Sequence, residues 1–336
     1  MIRRWLSMAT LIGWIVRAVV FGSVVMYGAM GEILTEKAGH LNLGTPGIMC
    51  TGGAFGFAAA YAYENAVDNP NFLVCILVAV GMAFLAGALA GLIYCFLTAT
   101  LLVNQNVVGL TLTIFGVGVG KFFGTYVIPE GAVSTKAVFA NKVFIAKIPG
   151  LSGLGIVGEL LFSYGFMIYL AIVLAIVVHL FLSRTRVGLN LRAVGENPAT
   201  ADAAGINVTK YKYCAIMIGS GITGLGGVLY VLDYGNGTWA TASGDAIEAL
   251  AWLSVALVIF VRWNTLRAIW GSYLFGLCYW AYNYVPTLIG VNVSTELAQM
   301  LPYIVTIVIL ILGCTHMKQE NQGPAYLGQS YFREDR

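Results

Sequence analysis

The chain has 336 residues, 59% of them hydrophobic and only 10% charged, with a mean hydropathy of +0.83. Soluble domains carry about 25% charged residues, so lipid is the main solvent here and no stretch is long enough for a separate soluble catalytic domain. The net charge of +3 is small, no basic-aromatic pattern points to nucleic acid, and the six cysteines stand alone in apolar runs, as reduced space-filling thiols do.

A bilayer core takes about 20 apolar residues per helix. On that ruler the sequence predicts an all-α, polytopic transmembrane helical bundle of about nine spans, with broken helices and a short cytoplasmic helix. The predicted spans are Leu11–Met30, Thr45–Tyr63, Phe72–Val103, Val107–Ile128, Tyr164–Leu182, Tyr211–Tyr234, Ala246–Val261, Ala268–Ile289 and Leu297–Gly313. The start, MIRRWLSMATLIGWIV, is basic and then apolar like a signal peptide. Arg17 interrupts the apolar part and further spans follow, so it reads as the approach to a first membrane helix. The whole chain 1–336 reads as one membrane domain: a bundle over 11–313, an outer loop at 129–163, a cytoplasmic loop at 184–212 and a polar, frayed cytoplasmic tail at 314–336.

The segment Gly31–Gly56 breaks the apolar pattern just where the second span should begin, at Asn42, Gly44, Thr45, Pro46 and Gly47. Irregular backbone at membrane depth is tolerated only against protein or a water-filled cavity, and in transporters it builds substrate paths. Asn42, Gly44, Thr45 and Gly47 are therefore candidates for lining such a path. The alternative is that Pro46 only opens the second helix in its first turn, with Asn42 or Thr45 as cap.

The loop Pro129–Ser163 holds Ile156, Leu160 and Leu161 at the spacing of a short surface helix, which either receives a soluble partner or caps the bundle. Next comes the one long polar island, Arg184–Lys212. Asn197 suits an N-cap, Pro198 a first helical turn, and Gly205 a left-handed helix end. The island is either a docking element or a plain basic connection. With it in the cytoplasm, Gly235–Asp245 and Pro286–Glu296 fall outside without any Lys or Arg, while Arg262, Arg267, Lys318, Arg333 and Arg336 fall inside. Only Arg3 and Arg4 disagree, since five spans before the island place them outside.

Catalytic chemistry is not visible. Gly153, Gly155 and Gly158 match a dinucleotide fingerprint but lack its strand-turn-helix setting. The run GVGVGKF around Lys121 lacks the spacing of a phosphate loop. His40, His179 and His316 are scattered, and no cluster has metal-ligand spacing. Ionisable residues within the spans are few, namely Arg17, Lys121, Asp233 and Glu248, which argues against ion coupling and for energy supplied from elsewhere.

Three stretches together resemble a known family. GEILTEKAGHLNLGTPGIM at Gly31–Met49, LRAVGENPATADAAGI at Leu191–Ile206, and the run from Gly244 to Gly276 are similar to segments of the permease subunits of ATP-binding-cassette importers. The likeness is to the branched-chain amino acid, ribose and nucleoside group, and within it to the basic-membrane-protein type nucleoside permeases. It spans about residues 15 to 315. Departures are Pro46 where Glu is usual, Thr265 where Pro follows the Trp-Asn pair, and no glycine near Arg267.

The resemblance implies a non-enzymatic transport subunit in a bacterial inner membrane, with a cytoplasmic C-terminus and nucleosides as leading substrate. Simple sugars of the ribose or galactose kind are the alternative, and an ion-coupled carrier or channel a more distant one. It implies no cofactor on this chain, two separate ATPase subunits that use ATP and Mg, a second and related permease subunit, and an external substrate-binding lipoprotein. It also implies that Arg192, Gly195, Glu196, Asn197, Pro198, Asp202 and Gly205 form the element coupled to the ATPase.

Overall fold

A computed structural model describes residues 2–147, 155–289 and 323–332, with isolated positions between 294 and 311. Helix α1 (Ile2–Glu36) leads through a turn to α2 (Thr45–Ala66), whose first turn holds Pro46 behind Gly44. Helix α3 (Phe72–Cys95) starts under an Asn71 cap and runs on into a π-helical turn, Phe96–Thr100. Asn104 caps α4 (Gln105–Tyr126). Strand β1 (Ser134–Lys136) and the short helices α5 (Val138–Phe144) and α6 (Gly155–Phe162) occupy the expected outer loop. Then come α7 (Phe166–Arg184), α8 (Arg186–Glu196), α9 (Pro198–Ala203) and α10 (Val208–Leu229), the last continuing as a π turn over Tyr230–Tyr234. Strand β2 (Thr238–Ala240), α11 (Ser243–Val261) and α12 (Thr265–Ile289) follow. The two strands pair antiparallel, Thr135 opposite Trp239.

The chain is an all-α polytopic membrane bundle, but the expectation of about nine spans is corrected. Among the described residues six helices are long and apolar enough to cross a membrane: Thr10–Glu36, Phe72–Thr100, Gln105–Tyr126, Phe166–Arg184, Val208–Tyr234 and Ser243–Val261. Two of the other expected spans fall on α2 and α12, which have 22 and 25 residues. Glycine, threonine and tyrosine dilute the apolar character of α2, and tyrosine, asparagine, serine and arginine that of α12. The last expected span, Leu297–Gly313, falls where only isolated positions are described. Gly153 and the tail residues Cys314, His316, Lys318, Arg333 and Arg336 lie outside the described residues.

Glycine decides how the bundle closes. In lipid the pull between helices comes from close backbone contact, because the surroundings are as apolar as the side chains. The span containing α10 is 83% buried in the bundle and that containing α3 only 28%, so α10 is central and α3 faces lipid. Helices α2 and α10 touch backbone to backbone: a Cβ on Gly227 would lie 2.0 Å from the Met49 carbonyl oxygen. Helix α1 lies between α10 and α12, with Gly31 against Gly219 and Gly22 against Ser272.

One end of the bundle gathers the end of α1, the starts of α2, α4, α10 and α12, the helices α8 and α9, and residues 323–332. At the other end the Glu64 carboxylate accepts from the Val138 and Ala140 amides, both at 2.9 Å, and the β1–β2 pair ties the long loop to the α10–α11 connection.

Candidate functional site

The polar island is a folded corner. Thr185 caps α8 by accepting from the Gly188 amide at 3.0 Å. Leu191, Val194 and Gly195 of α8 are buried, and Val194 packs with Ala201 and Val208 to join α8, α9 and the start of α10. Asn197 caps α9 as its sequence predicts: its side chain accepts from the Thr200 amide at 3.0 Å, and Pro198 stands in the first turn. The helix ends in a Schellman motif, with Gly205 at φ +84°, the Gly205 amide on the Asp202 carbonyl at 2.9 Å and the Ile206 amide on the Ala201 carbonyl at 3.0 Å. Asn207 then caps α10. Ala199, Thr200, Ala203, Ala204 and Gly205 form an exposed rim of small side chains.

Gly195 seats this corner on the bundle. A Cβ there would lie 2.3 Å from the Lys37 carbonyl oxygen and 3.1 Å from the Gly39 nitrogen. The tail reinforces the contact. The Tyr326 amide donates to the Gly195 carbonyl at 3.1 Å, the Ala325 amide to the Glu196 carboxylate at 3.1 Å, and the Tyr331 hydroxyl to the Asp202 carboxylate at 3.1 Å. Residues 323–332 are thus not the frayed tail that their polarity suggests. The tyrosines inside GPAYLGQSY were the available signal, because aromatic rings in a polar tail need somewhere to pack. An open cleft of about 570 Å³ lies between this corner and the end of the α3 π turn, lined by Asp202, Gly205, Asn207 and Tyr331.

The second group of candidates lies next to it. Asn42 and Thr45 are buried at the turn between α1 and α2. Glu32 of α1 organises the turn: its carboxylate accepts from the Asn42 amide at 3.1 Å and from the Thr45 hydroxyl at 2.6 Å. The Asn42 side chain accepts from the Gly44 amide at 2.9 Å. Gly44 and Gly47 pack on Leu112 of α4, Gly47 against its backbone. The four candidates are therefore closed into the packing. Glu36, one turn beyond Glu32, accepts from the Trp263 indole. Glu32 and Glu36 are buried acids that sequence reasoning missed: they sit at the end of a span, and while Asn42 and Thr45 follow Glu32 closely, Trp263 comes from a distant segment.

Of the four intramembrane ionisable groups, Lys121 pairs with Asp245 at 2.5 Å and Arg17 lies over the Trp280 ring at 5.5 Å. Asp233 is buried in the α10 π turn, with Oδ2 lacking a hydrogen-bond partner. On the same turn Tyr230 and Tyr234 line a cavity of about 150 Å³ with Phe21, Tyr279 and the α11 face around Leu250. Tyr230 and Tyr234 have ring centroids 5.5 Å apart, and Phe21 stacks on Tyr279 at 4.2 Å. π turns recur at functional sites. The signal available in the sequence was the pair of tyrosines flanking Asp233. Among the described residues no group of His, Cys, Asp and Glu could hold a metal ion.

The family model described as branched-chain amino acid transport system / permease component matches residues 14–310. A putative glucose ABC transporter permease protein of Haloferax volcanii is 33% identical, over 76% of this chain and 72% of its own length. A nucleoside ABC transporter permease protein of Lactococcus lactis is 29% identical, over 87% of this chain and 89% of its own. A guanosine ABC transporter permease protein of Bacillus subtilis is also 29% identical, over 87% and 88%. No solved structure matches.

Proposed function

We propose, for a chain that belongs to the branched-chain amino acid transport permease family, that it forms the membrane path of an ATP-driven nucleoside importer and is driven through the α9 corner. As a member of that family it is a transport permease of the ABC-transporter superfamily and not an enzymatic domain. The observation that carries the coupling reading is the exposed, doubly capped α9 seated through Gly195 on the end of α1.

In this reading Glu196, Asn197, Pro198, Asp202 and Gly205 make up the element that a separate ATPase engages, with Arg192 and Gly195 anchoring it from α8. Two ATPase subunits bind ATP and Mg, a related second permease completes the path, and an external lipoprotein delivers the substrate. The membrane is the bacterial inner membrane. The island end of the bundle, with the C-terminus, faces the cytoplasm, and the β1–β2 end faces outwards. The domain limits of the sequence reading carry over: one membrane domain, with 129–163 outside and 184–212 inside. Closure of the ATPases would shift the bundle between outward- and inward-facing states through differential contacts at α9.

Two features support nucleosides. The nucleoside and guanosine relatives each cover 87% of this chain. The cavity at the α10 π turn also offers aromatic faces, those of Phe21, Tyr230, Tyr234 and Tyr279, on which a base could stack. Sugars are the second reading, favoured by the 33% identity to the putative glucose permease. Uptake by the whole assembly across a nucleoside and sugar panel decides between them. Stacking of a base on an aromatic side chain is worth about 1–3 kcal/mol by alanine substitution, so Tyr230→Ala is expected to raise the KM for a nucleoside by about fivefold to about a hundredfold with kcat little changed. Sugar uptake with no nucleoside uptake would overturn the substrate reading.

Asn42, Gly44, Thr45 and Gly47 remain our candidates for the path, closed in the present state. Asn42→Cys and Thr45→Cys are expected to react with small aqueous thiol reagents in one nucleotide state and to resist them in another. Resistance in every state would remove the path from this turn.

A further inference from the structure

A cavity of about 140 Å³ lies where three membrane spans end on the same side of the bundle. Its walls are Lys37, just past the end of α1; His179 and Ser183, in the last turns of α7; Arg192 of α8; and Arg262 to Thr265, between α11 and α12. Three cationic residues, Lys37, Arg192 and Arg262, line it, and among the described residues no acid does.

Two acids near the cavity, against three cations, are already hydrogen-bonded to other groups. Glu36 accepts from the Trp263 indole, and Glu196 accepts from the Ala325 amide. Burial first, and the Arg192 charge second, push the Lys37 ammonium down from its ordinary range, against the pull of Glu196 and Glu36. Like charges gathered in a half-buried site cost free energy unless an anion joins them.

A second observation is independent of charge. Thr265 is 2% exposed and lines the cavity, yet its hydroxyl has no hydrogen-bond partner. A buried hydroxyl left unpaired costs about 1–3 kcal/mol, so a ligand with acceptor oxygens would satisfy it. The helix amides are not available for this, because the Leu266 and Arg267 amides already bond the Asn264 side chain.

We propose that this cavity binds the phosphate of an anionic phospholipid headgroup, held by Lys37, Arg192, Arg262 and the Thr265 hydroxyl. The place favours a lipid over free phosphate. Spans Thr10–Glu36, Phe166–Arg184 and Ser243–Val261 all end at the cavity, where headgroups lie, and Trp263 beside it is of the type that anchors at such an interface. Basic pockets between membrane helices take anionic headgroups in this way. The bound lipid would clamp the α8 corner to α1 and to the α11–α12 turn, so the annular lipid would set how firmly the island is seated. The proposal rests on the membrane spans alone and on neither the substrate nor the ATPase reading.

The test is thermal unfolding of the full-length purified chain titrated with phosphatidylglycerol, phosphatidylcholine or inorganic phosphate. Phosphatidylglycerol is expected to raise Tm at concentrations at least tenfold lower than phosphatidylcholine, and inorganic phosphate to leave Tm unchanged. Lys37→Gln with Arg262→Gln should move the phosphatidylglycerol midpoint at least tenfold without moving that of phosphatidylcholine. Thr265→Val should move it less, in the same direction. Equal midpoints for the two lipids, or a phosphatidylglycerol midpoint unmoved by Thr265→Val, would overturn the proposal. So would a stabilisation reproduced by inorganic phosphate, which would assign the cavity to the free anion. Where the double variant does not accumulate, the wild-type titrations and Thr265→Val decide.

Discussion

A chain carrying both Asn197→Ala and Gly205→Val is expected to insert and pack normally, yet to transport at least tenfold more slowly while its ATPase partners keep hydrolysing. Helix α9 has six residues, too few to hold a helix without help. It persists because both ends are fastened. Removing the Asn197 side chain frees the Thr200 amide that it accepts from at 3.0 Å, at a cost of about 1 kcal/mol. Gly205 stands at φ +84°, and a Cβ built there meets nothing within 4 Å. The penalty for valine is therefore backbone strain rather than collision, about 1–3 kcal/mol.

Both substituted residues are exposed and lie outside the seams that join α1, α2 and α10 to one another, so the thermal stability of the bundle should change little. In the proposed docking, what changes is the shape presented to the ATPase. Gly205→Asn is the matched control, since asparagine tolerates the left-handed region, and it should keep most of the transport. Measured uptake and hydrolysis in the reconstituted assembly check this. Normal uptake with normally coupled hydrolysis in the double variant would end the docking role of α9.

The α9 corner was legible in the sequence because its determinants are local. Asn197, Pro198 and Gly205 fix both ends through bonds that reach no further than five residues, and each residue type has one dominant reason to stand there. The Glu36–Trp263 pair was not legible for the opposite reason. Trp263 is separated from Glu36 by 227 residues, and nothing around either residue announces the other. The same holds for Asp202 and Tyr331, which are 129 residues apart, and for the pairing of Ser134–Lys136 with Thr238–Ala240.

The span count departs from the structure on α2 for a different reason. A window that marks Gly, Ala and Thr as membrane-tolerant registers a span wherever helices pack closely. In α2 those residues serve contact with α10 and α4, and the helix is less apolar than the six long apolar helices described above. Its polar start at Asn42 and Thr45 reads as a broken helix. It is a turn between two intact helices, closed by the Glu32 carboxylate from the preceding one.

Gly227→Ala is expected to lower the Tm of the purified chain by several degrees, and Gly227→Leu to prevent accumulation of folded protein. An alanine Cβ at this position would lie 2.0 Å from the Met49 carbonyl oxygen, 2.6 Å from the Gly53 nitrogen and 2.9 Å from the Gly53 Cα. These are backbone atoms, so no rotamer change relieves the contact, and α2 and α10 must move apart. The neighbouring pair reinforces the constraint: a Cβ on Gly52 would lie 2.3 Å from the Gly224 Cα. Overpacking of this kind costs about 1–3 kcal/mol for small additions and more for large ones, and separating the helices also forfeits dispersion along the seam.

Gly81→Ala and Gly118→Ala give the contrast. Both glycines lie within helices with nothing within 4 Å of an added Cβ, so alanine there should leave stability unchanged or raise it by about 0.5–1 kcal/mol. If Gly227→Ala were as stable as Gly118→Ala, the α2–α10 contact would not be the seam that closes the bundle. The seam also bears on transport, because α10 begins at the α9 corner and α2 begins at the Asn42–Thr45 turn. In the proposed coupling, a small displacement of α10 at the α9 corner would reach α2 through these backbone contacts. A Gly227→Ala chain that still folds should show altered uptake even though the residue lies far from α9, since it stands one helical turn before Tyr230 of the aromatic cavity.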